Sequence, residues 1–301
     1  MTLNQLKYLV AVAEQGHFGQ AAARCYVSQP SLSAAIKQVE AELGVRIFER
    51  GKAGVMVTDV GAEVIEQARR ALAEAAQVKT VAQSGKHPLR GVFRLGVIHT
   101  IAPYLLPSLT VALRRLAPQM PLDIEESMTA QLDQLLKAGE LDAAIVAMPY
   151  AAPGIEVRAL YDEALLVVVP AQHPFARRKA LNASELDRTD LLMLPAGHCL
   201  RDQVLDACGE RSRQAPQGRH GNSLETLRSM VASGLGVTVM PATALVARYD
   251  SLLVRAIPLA APQPQRRVVL AWRQGFTRPL AIRRITEAIA GLELPMTPIA
   301  A

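Results

Sequence analysis

From Thr58 to Ser84 the chain runs without a proline and with a single glycine, Gly61, near the start. Val60, Val64, Ile65, Ala68, Leu72, Ala75 and Val78 recur there at helical spacing and make one apolar stripe. A helix of roughly 25 residues spans almost 40 Å. Such a stripe needs a partner, and a second copy of itself is the simplest one. The stretch "SGKHPLRG" then ends the helix with Ser, Gly and Pro, as a hinge does.

Before this helix lie three shorter ones. "LNQLKYLVAVAEQG" carries Leu3, Leu6, Leu9, Val10 and Ala13 on one face and stops at Gly16. "FGQAAARC" and "QPSLSAAIKQVEAEL" follow, separated by the short break "YVS". Pro30 sits in the first turn of the second, where its missing N–H is harmless. Leu32, Ile36, Val39 and Leu43 form its inner face, and Gln29, Ser33 and Lys37 its outer one. Ala21 and Ala22 let the two helices approach closely. This pattern suits a helix-turn-helix, with Lys37 and Arg24 for phosphates and Ser or Gln for base edges or phosphates. "RIFERGKAGVMVT" reads as a hairpin wing with Arg50 and Lys52 at its tip. A small helical subdomain with a solvated polar face fits the helices alone; the wing and the long helix favour DNA.

Charge does not decide the matter. The net charge is +6, but residues 1–86 hold ten Lys and Arg against eight Asp and Glu, so the excess is not concentrated there. No apolar run is long enough to cross a bilayer, and the N-terminus lacks a leader pattern. Three cysteines make no disulfide scaffold, so a reducing cytoplasm is the expected compartment. Neither C-x-x-C nor metal-ligand histidine spacing occurs, so no metal and no cofactor is expected.

From Gly91 onward strand and helix patterns alternate, which means an α/β architecture. "GVFRLGVI", "LDIEES", "LDAAIVA", "ALLVVVP", "DLLMLP", "LGVTVMP" and "RRVVLAWR" read as strands. "LLPSLTVALRRLA", "AQLDQLLKAG", "SLETLRSMVASG" and "RPLAIRRITEAIAGL" read as helices. Ligands bind such sheets at the carboxyl ends of strands or between lobes. Thr100 and Thr129 each follow a strand and are placed to point hydroxyls into such a cleft, with His99 beside the first. As single loop threonines they carry no more than that.

"AGHCLRDQVLDACGE" holds Cys199 and Cys208 on one short helical pattern, stopped by Gly209. Nine residues apart on a helix, the two lie on opposite sides and roughly 13 Å apart along the axis. A disulfide needs Cα atoms within about 7 Å. Helix and disulfide therefore exclude one another, which is what a redox switch requires. Cys199 at the helix start, beside His198 and Arg201, is in a setting that favours a thiolate. Cys208 is the candidate resolving thiol. Asp202 is near enough to relay a proton, although its charge opposes thiolate formation. A pair of inert thiols is the competing reading, and Cys25 is expected to be a buried small hydrophobe.

"FGQAAARCYVSQPSLSAAIKQVEAELGVRIFER" and "VTDVG" resemble the winged helix-turn-helix of LysR-type transcriptional regulators. "PAGHCLRDQVLDACG", "GVIHTIAPYLLP", "SMTAQL" and "SLETLRSMVASGLGVTVMPA" resemble the hydrogen-peroxide-sensing subfamily of that family, over essentially the whole chain. The resemblance implies a winged helix-turn-helix at 1–58, a linker and dimerisation helix with hinge at 59–87, and a two-lobed α/β regulatory domain, like a periplasmic binding protein, at 88–301. Lobe I takes 88–163 with 268–301, and lobe II takes 164–267. It implies Ser28, Gln29, Pro30, Ser31 and Ser33 at the DNA surface and Arg50 in the wing. It implies Cys199 as the peroxidatic residue, Cys208 as the resolving one, and Thr100, Thr129, His198 and Asp202 around the peroxide. One stretch departs: "RSRQAPQGRHG" lacks the histidine expected at Gly218, and His220 is left outside the site.

The expected partners are double-stranded DNA, hydrogen peroxide, RNA polymerase, a thiol reductant of glutaredoxin or thioredoxin type, and further copies of the chain, as a tetramer. Peroxide is consumed stoichiometrically, so an enzyme is not expected. The alternatives are a regulator of a small anionic metabolite with incidental thiols, and a thiol peroxidase or two-lobe binding protein. The wing and linker helix argue against the last.

Overall fold

The first helix of the computed structural model starts at a reciprocal cap. The Thr2 hydroxyl accepts the Gln5 N–H, and the Gln5 side chain accepts the Thr2 N–H at 2.8 Å. The structure describes residues 1–51, 54–84, 88–188, 190–208, 220–249 and 251–299. It divides into two compact units, Met1–Lys86 with Lys137–Glu140, and His87–Leu136 with Leu141–Ala301.

In the first unit, α1 (Leu3–Gln15), α2 (Phe18–Arg24) and α3 (Gln29–Leu43) enclose Leu9, Val12, Ala21, Leu32, Ile36 and Val39. Gly16, at φ 59°, closes α1 in the left-handed conformation that glycine adopts without strain. Strands β1 (Phe48–Gly51) and β2 (Gly54–Val57) pair antiparallel as the wing. Lys52, expected at its tip, lies outside the described residues.

Helix α4 (Asp59–Ser84) follows, its first amides satisfied by Thr58. Its apolar stripe serves two purposes where the pattern suggested one. Ile65 and Ala68 are buried in the head's own core, with Val64 and Leu72 packed against it, because α1 lies alongside α4. Val60 and Val78 stay exposed. Cys25 is half-buried rather than buried, because it caps α2 at the edge of this core.

In the second unit, β3 (Phe93–Ile98) pairs parallel with β4 (Leu122–Ser127) and β5 (Ala143–Ala147). Two helices, α5 (Ala102–Leu116) and α6 (Thr129–Lys137), connect these strands. The long strand β6 (Ile155–Pro170) pairs along its first part with β9 (Gln265–Arg273). Its last part pairs with β7 (Thr238–Pro241) and β8 (Val254–Pro258). One strand thus spans two cores. The first packs Phe93, Leu95, Ile145, Tyr161, Leu270 and Ile285, and the second packs Leu165, Val167, Leu200, Leu227, Val239 and Ile257.

Helices α7 (Cys199–Cys208) and α8 (Leu224–Ala232) belong to the second core, and α9 (Pro279–Ala290) closes the first. The short strand β10 (Thr297–Pro298) adds to β6. "DLLMLP" is not a regular strand. It makes isolated bridges from Leu191 to Val237 and from Met193 to His220, which is all the pairing its extended backbone finds.

Ile285 on α9 is fully buried beneath the sheet that carries Trp272, the chain's single tryptophan. Ile285→Ala is expected to lower stability by about 3 kcal/mol. Urea unfolding followed by Trp272 fluorescence checks it.

Candidate functional site

Strands β6 and β9 bring two acids against two arginines: Asp162 opposes Arg267 and Glu163 opposes Arg266. Successive residues of a strand point to opposite faces, so the two pairs meet different fates. Arg267 grips Asp162 at 2.9 and 2.8 Å in a partly exposed pair, and that hydrogen bonding holds the Asp162 carboxyl below its usual range. Glu163 and Arg266 face inward and expose no side-chain surface. Arg266 Nε donates to Glu163 Oε1 at 2.7 Å. Its Nη1 donates to the Thr100 hydroxyl at 3.0 Å and its Nη2 to the Thr100 carbonyl at 2.9 Å. The other Glu163 oxygen accepts the Thr243 hydroxyl at 2.7 Å and the Thr243 N–H at 3.2 Å. Burial opposes the Arg266 charge, but Glu163 outweighs it, with Tyr161 and Cys199 adding to the effect, and the guanidinium pKa ends above its ordinary value.

Cys199 is the first residue of α7 and a half-buried free thiol, packed against the first core within electrostatic reach of Arg266. A buried cation beside a sulfur steadies negative charge that develops there. The Thr100 oxygen already accepts from Arg266, so its hydroxyl proton is left for another acceptor. His198 is buried, and its carbonyl accepts the Arg201 N–H at 2.9 Å to open α7. Burial, reinforced by the neighbouring His99, pushes the His198 pKa below the ordinary histidine value. The two imidazoles lie 5.9 Å apart, and His99 Nδ1 is 3.1 Å from the Glu126 carboxylate. His99, Glu126, Met128, His198, Asn222 and Glu225 are among the residues walling a cavity of about 290 Å³. On its wall the Tyr104 hydroxyl donates to Glu225 at 2.9 Å, and Arg228 holds the same carboxylate.

The other expected site residues spread along α6 and α7. Thr129 opens α6, next to Met128 of the cavity wall. Arg201 turns back to donate to the Leu194 carbonyl at 3.2 Å, anchoring the first turn of α7. Asp202 shares that turn with an exposed side chain. Cys208 ends α7, and its side chain lies outside the description, as does all of Gly218. His220 is exposed and bridges Met193. Among the described residues no group of His, Cys, Asp or Glu is placed to hold a metal ion, and no helix is long and apolar enough to cross a membrane.

Three residues of the thiol's surroundings, Glu163, Thr243 and Arg266, went unread in the sequence. The signal was present, since "YDEALL" and "QRRVV" carry paired opposite charges on two strand patterns. Strand register alone pairs them.

In the head, Ser28 caps α3 by accepting the Ser31 N–H, and the two serine hydroxyls lie 2.8 Å apart. Gln29, Pro30 and Ser31 are exposed on the first turn. Ser33 and Lys37 wall a concavity of about 600 Å³ with Arg46, Phe18 and Phe48. Arg50 belongs to β1, and its side chain lies outside the description.

Two outcomes test this geometry. Replacing Glu163 by Ala leaves the Arg266 charge buried and unpaired, with an expected loss of about 3–5 kcal/mol in denaturant unfolding. His198, whose folded pKa is lowered, contributes fully above the unfolded histidine value of about 6.5. That contribution is lost as pH falls through this value toward the lower folded one. Thermal melts are therefore expected to fall less between neutral pH and pH ~5.5 for His198→Asn than for the unmodified chain.

Residues 3–62 match the model of the bacterial regulatory helix-turn-helix proteins of the lysR family, and residues 86–292 match the LysR substrate binding domain. The chain is 38% identical to the hydrogen peroxide-inducible genes activator of Pectobacterium carotovorum, over 91% of each chain. It is 37% identical to the DNA-binding transcriptional dual regulator OxyR of Escherichia coli K12, over 96% of this chain and 95% of that one. The structure of a full-length cysteine-to-aspartate variant of OxyR from Pseudomonas aeruginosa superposes with a TM-score of 0.78 at 43% identity, covering 100% of this chain and 99% of that one. A hydrogen-peroxide-bound cysteine mutant of OxyR from Corynebacterium glutamicum gives a TM-score of 0.66 at 34% identity, over 96% and 91%. The winged head and the α/β unit thus coincide with matches along nearly the whole length, and the chain belongs to the LysR family of DNA-binding transcription regulators, closely related to OxyR.

Proposed function

We propose that this chain senses hydrogen peroxide and switches transcription of antioxidant-defence genes through a reversible Cys199–Cys208 disulfide. The observation that carries the reading is the setting of the Cys199 thiol: free, half-buried, at the start of a helix and beside the buried cation of Arg266. The Cys199 thiolate attacks one oxygen of the peroxide. An S–O bond forms, the O–O bond breaks, and the departing hydroxide takes up a proton to become water. Sulfur is oxidised and peroxide reduced. Arg266 steadies the charge on the reacting atoms, and Thr100 and Thr129 offer hydroxyls. Neutral His198 and exposed Asp202 handle the proton, while Arg201 anchors the turn.

In the second step the Cys208 sulfur attacks the sulfenic sulfur, the S–S bond forms, and the hydroxyl leaves as water. Helix α7 runs from Cys199 to Cys208, and nine helical residues put these two positions on opposite sides of the axis, so the helix must unwind first. A thiol reductant of glutaredoxin or thioredoxin type restores both thiols by exchange. One peroxide is consumed per switch.

The same reading divides the chain into a head at 1–58, a linker at 59–87, and a regulatory domain at 88–301. Lobe I takes 88–163 with 268–301, and lobe II takes 164–267. Ser28, Gln29, Pro30, Ser31, Ser33, Lys37 and Arg50 face the operator. Exposed Val60 and Val78 on α4 support pairing of two chains, and two such dimers make a tetramer that meets RNA polymerase in the cytoplasm. A second reading, a metabolite-responsive regulator, is favoured by the cavity of about 290 Å³, many times the size of peroxide. The Glu126 and Glu225 carboxylates on its wall count against an anionic ligand.

Substoichiometric peroxide is expected to remove two hydrogens from the intact mass and to link the Cys199 and Cys208 peptides. The DNA footprint is expected to change in parallel, and Cys199→Ser to show neither effect. Unlinked thiols at an altered footprint would overturn the mechanism.

A further inference from the structure

Tyr26 lies in the turn between α2 and α3, at φ 56°. It is the one non-glycine residue with positive φ among the described residues, and its side chain is 96% exposed. Both features are unfavourable in the free chain. The left-handed conformation brings a Cβ close to the backbone, which is why glycine or asparagine usually occupies it. A phenol ring left in water gains nothing from burial.

The turn nevertheless holds Tyr26 firmly outward. Its flanking residues, Cys25 and Val27, both pack against the head core. The Tyr26 N–H donates to the Ala23 carbonyl at 3.1 Å and the Val27 N–H to the Ala22 carbonyl at 3.0 Å. The ring thus stands on a fixed backbone, two residues from the Ser28 cap and on one exposed lip with Ser28, Gln29, Pro30 and Ser31.

We propose that Tyr26 is a DNA-contacting residue whose phenolic O–H donates a hydrogen bond to a phosphodiester oxygen beside the major groove entered by α3. The chemistry fits that acceptor. The phenol is a neutral donor on a rigid ring, and phosphate oxygens are the acceptors nearest a turn that precedes a recognition helix. Tyrosine serves here where asparagine or glycine sits more easily, because neither reaches as far. The proposal rests on the DNA-binding head alone and is independent of the thiol chemistry.

The test uses the full reduced chain with two probes: a duplex recovered by the unmodified protein from a randomised library, and a scrambled duplex of the same composition. Anisotropy titrations at several salt concentrations are expected to show Tyr26→Phe weakened by about fivefold on both duplexes. The slope of affinity on salt should stay unchanged, because no charge is lost. Tyr26→Gly is expected to bind at least as weakly as Tyr26→Phe and to melt at or above the unmodified chain, since the turn then costs nothing. Unchanged binding by Tyr26→Phe overturns the proposal. So does a loss confined to the recovered duplex, which assigns the ring to base reading, and so does a lower melting point for Tyr26→Gly.

Discussion

The Arg266 guanidinium and the Glu163 carboxylate share a place closed to bulk solvent. Removing such ions from solvent is opposed by several kcal/mol each, so the pair depends on the further hydrogen bonds that each ion makes. Arg266 spends Nε on Glu163 and both terminal nitrogens on Thr100, and Glu163 turns its second oxygen to Thr243. The pair is therefore a junction. Thr100 follows β3 on one side, Thr243 follows β7 on the other, and Cys199 lies within reach of the charge. The position of the thiol's cation depends on both cores being in place.

That junction follows from the length of β6. Leu160 and Tyr161 belong to the first core and Leu165 and Val167 to the second, so Glu163 sits where the strand passes between them. A second polar connection runs nearby. The Tyr249 hydroxyl donates to the Pro103 carbonyl at 2.7 Å, Tyr104 donates to Glu225, and Arg228 binds Glu225 and the carbonyls of Ala244 and Tyr249. Burial and the Glu225 charge push the Tyr104 pKa up, which keeps its hydroxyl a donor. Helix α7 has its own link, the Gln203 amide, which donates to the Met148 carbonyl at 2.6 Å.

Much of the fold was legible as periodicity. The stripes of α1, α3 and α4, the stop at Gly16, Pro30 in the first turn of α3, and the alternation after Gly91 are local patterns that the backbone obeys wherever the chain goes. The helix over Cys199–Cys208 was legible for the same reason. Legibility failed where pairing was remote. The stripe of α4 gave no sign that its first half packs on α1. "DLLMLP" looked like a strand, yet found only isolated bridges. Of the residues gathered around Arg266 and the cavity, Cys199, His198 and Thr100 were named from the sequence. Arg266 and Glu163, 103 residues apart in the chain, were not.

The sequence by itself determined which segments coil and which extend, that two thiols share one short helix, and that a capped polar helix precedes a wing. These follow from side-chain spacing and cap chemistry acting over a few residues. Tertiary structure alone decided which charges meet in the dark, which apolar residues of α4 stay exposed, and which way Tyr26 points. Each of those depends on strand register or on packing between distant segments, and no local rule carries either.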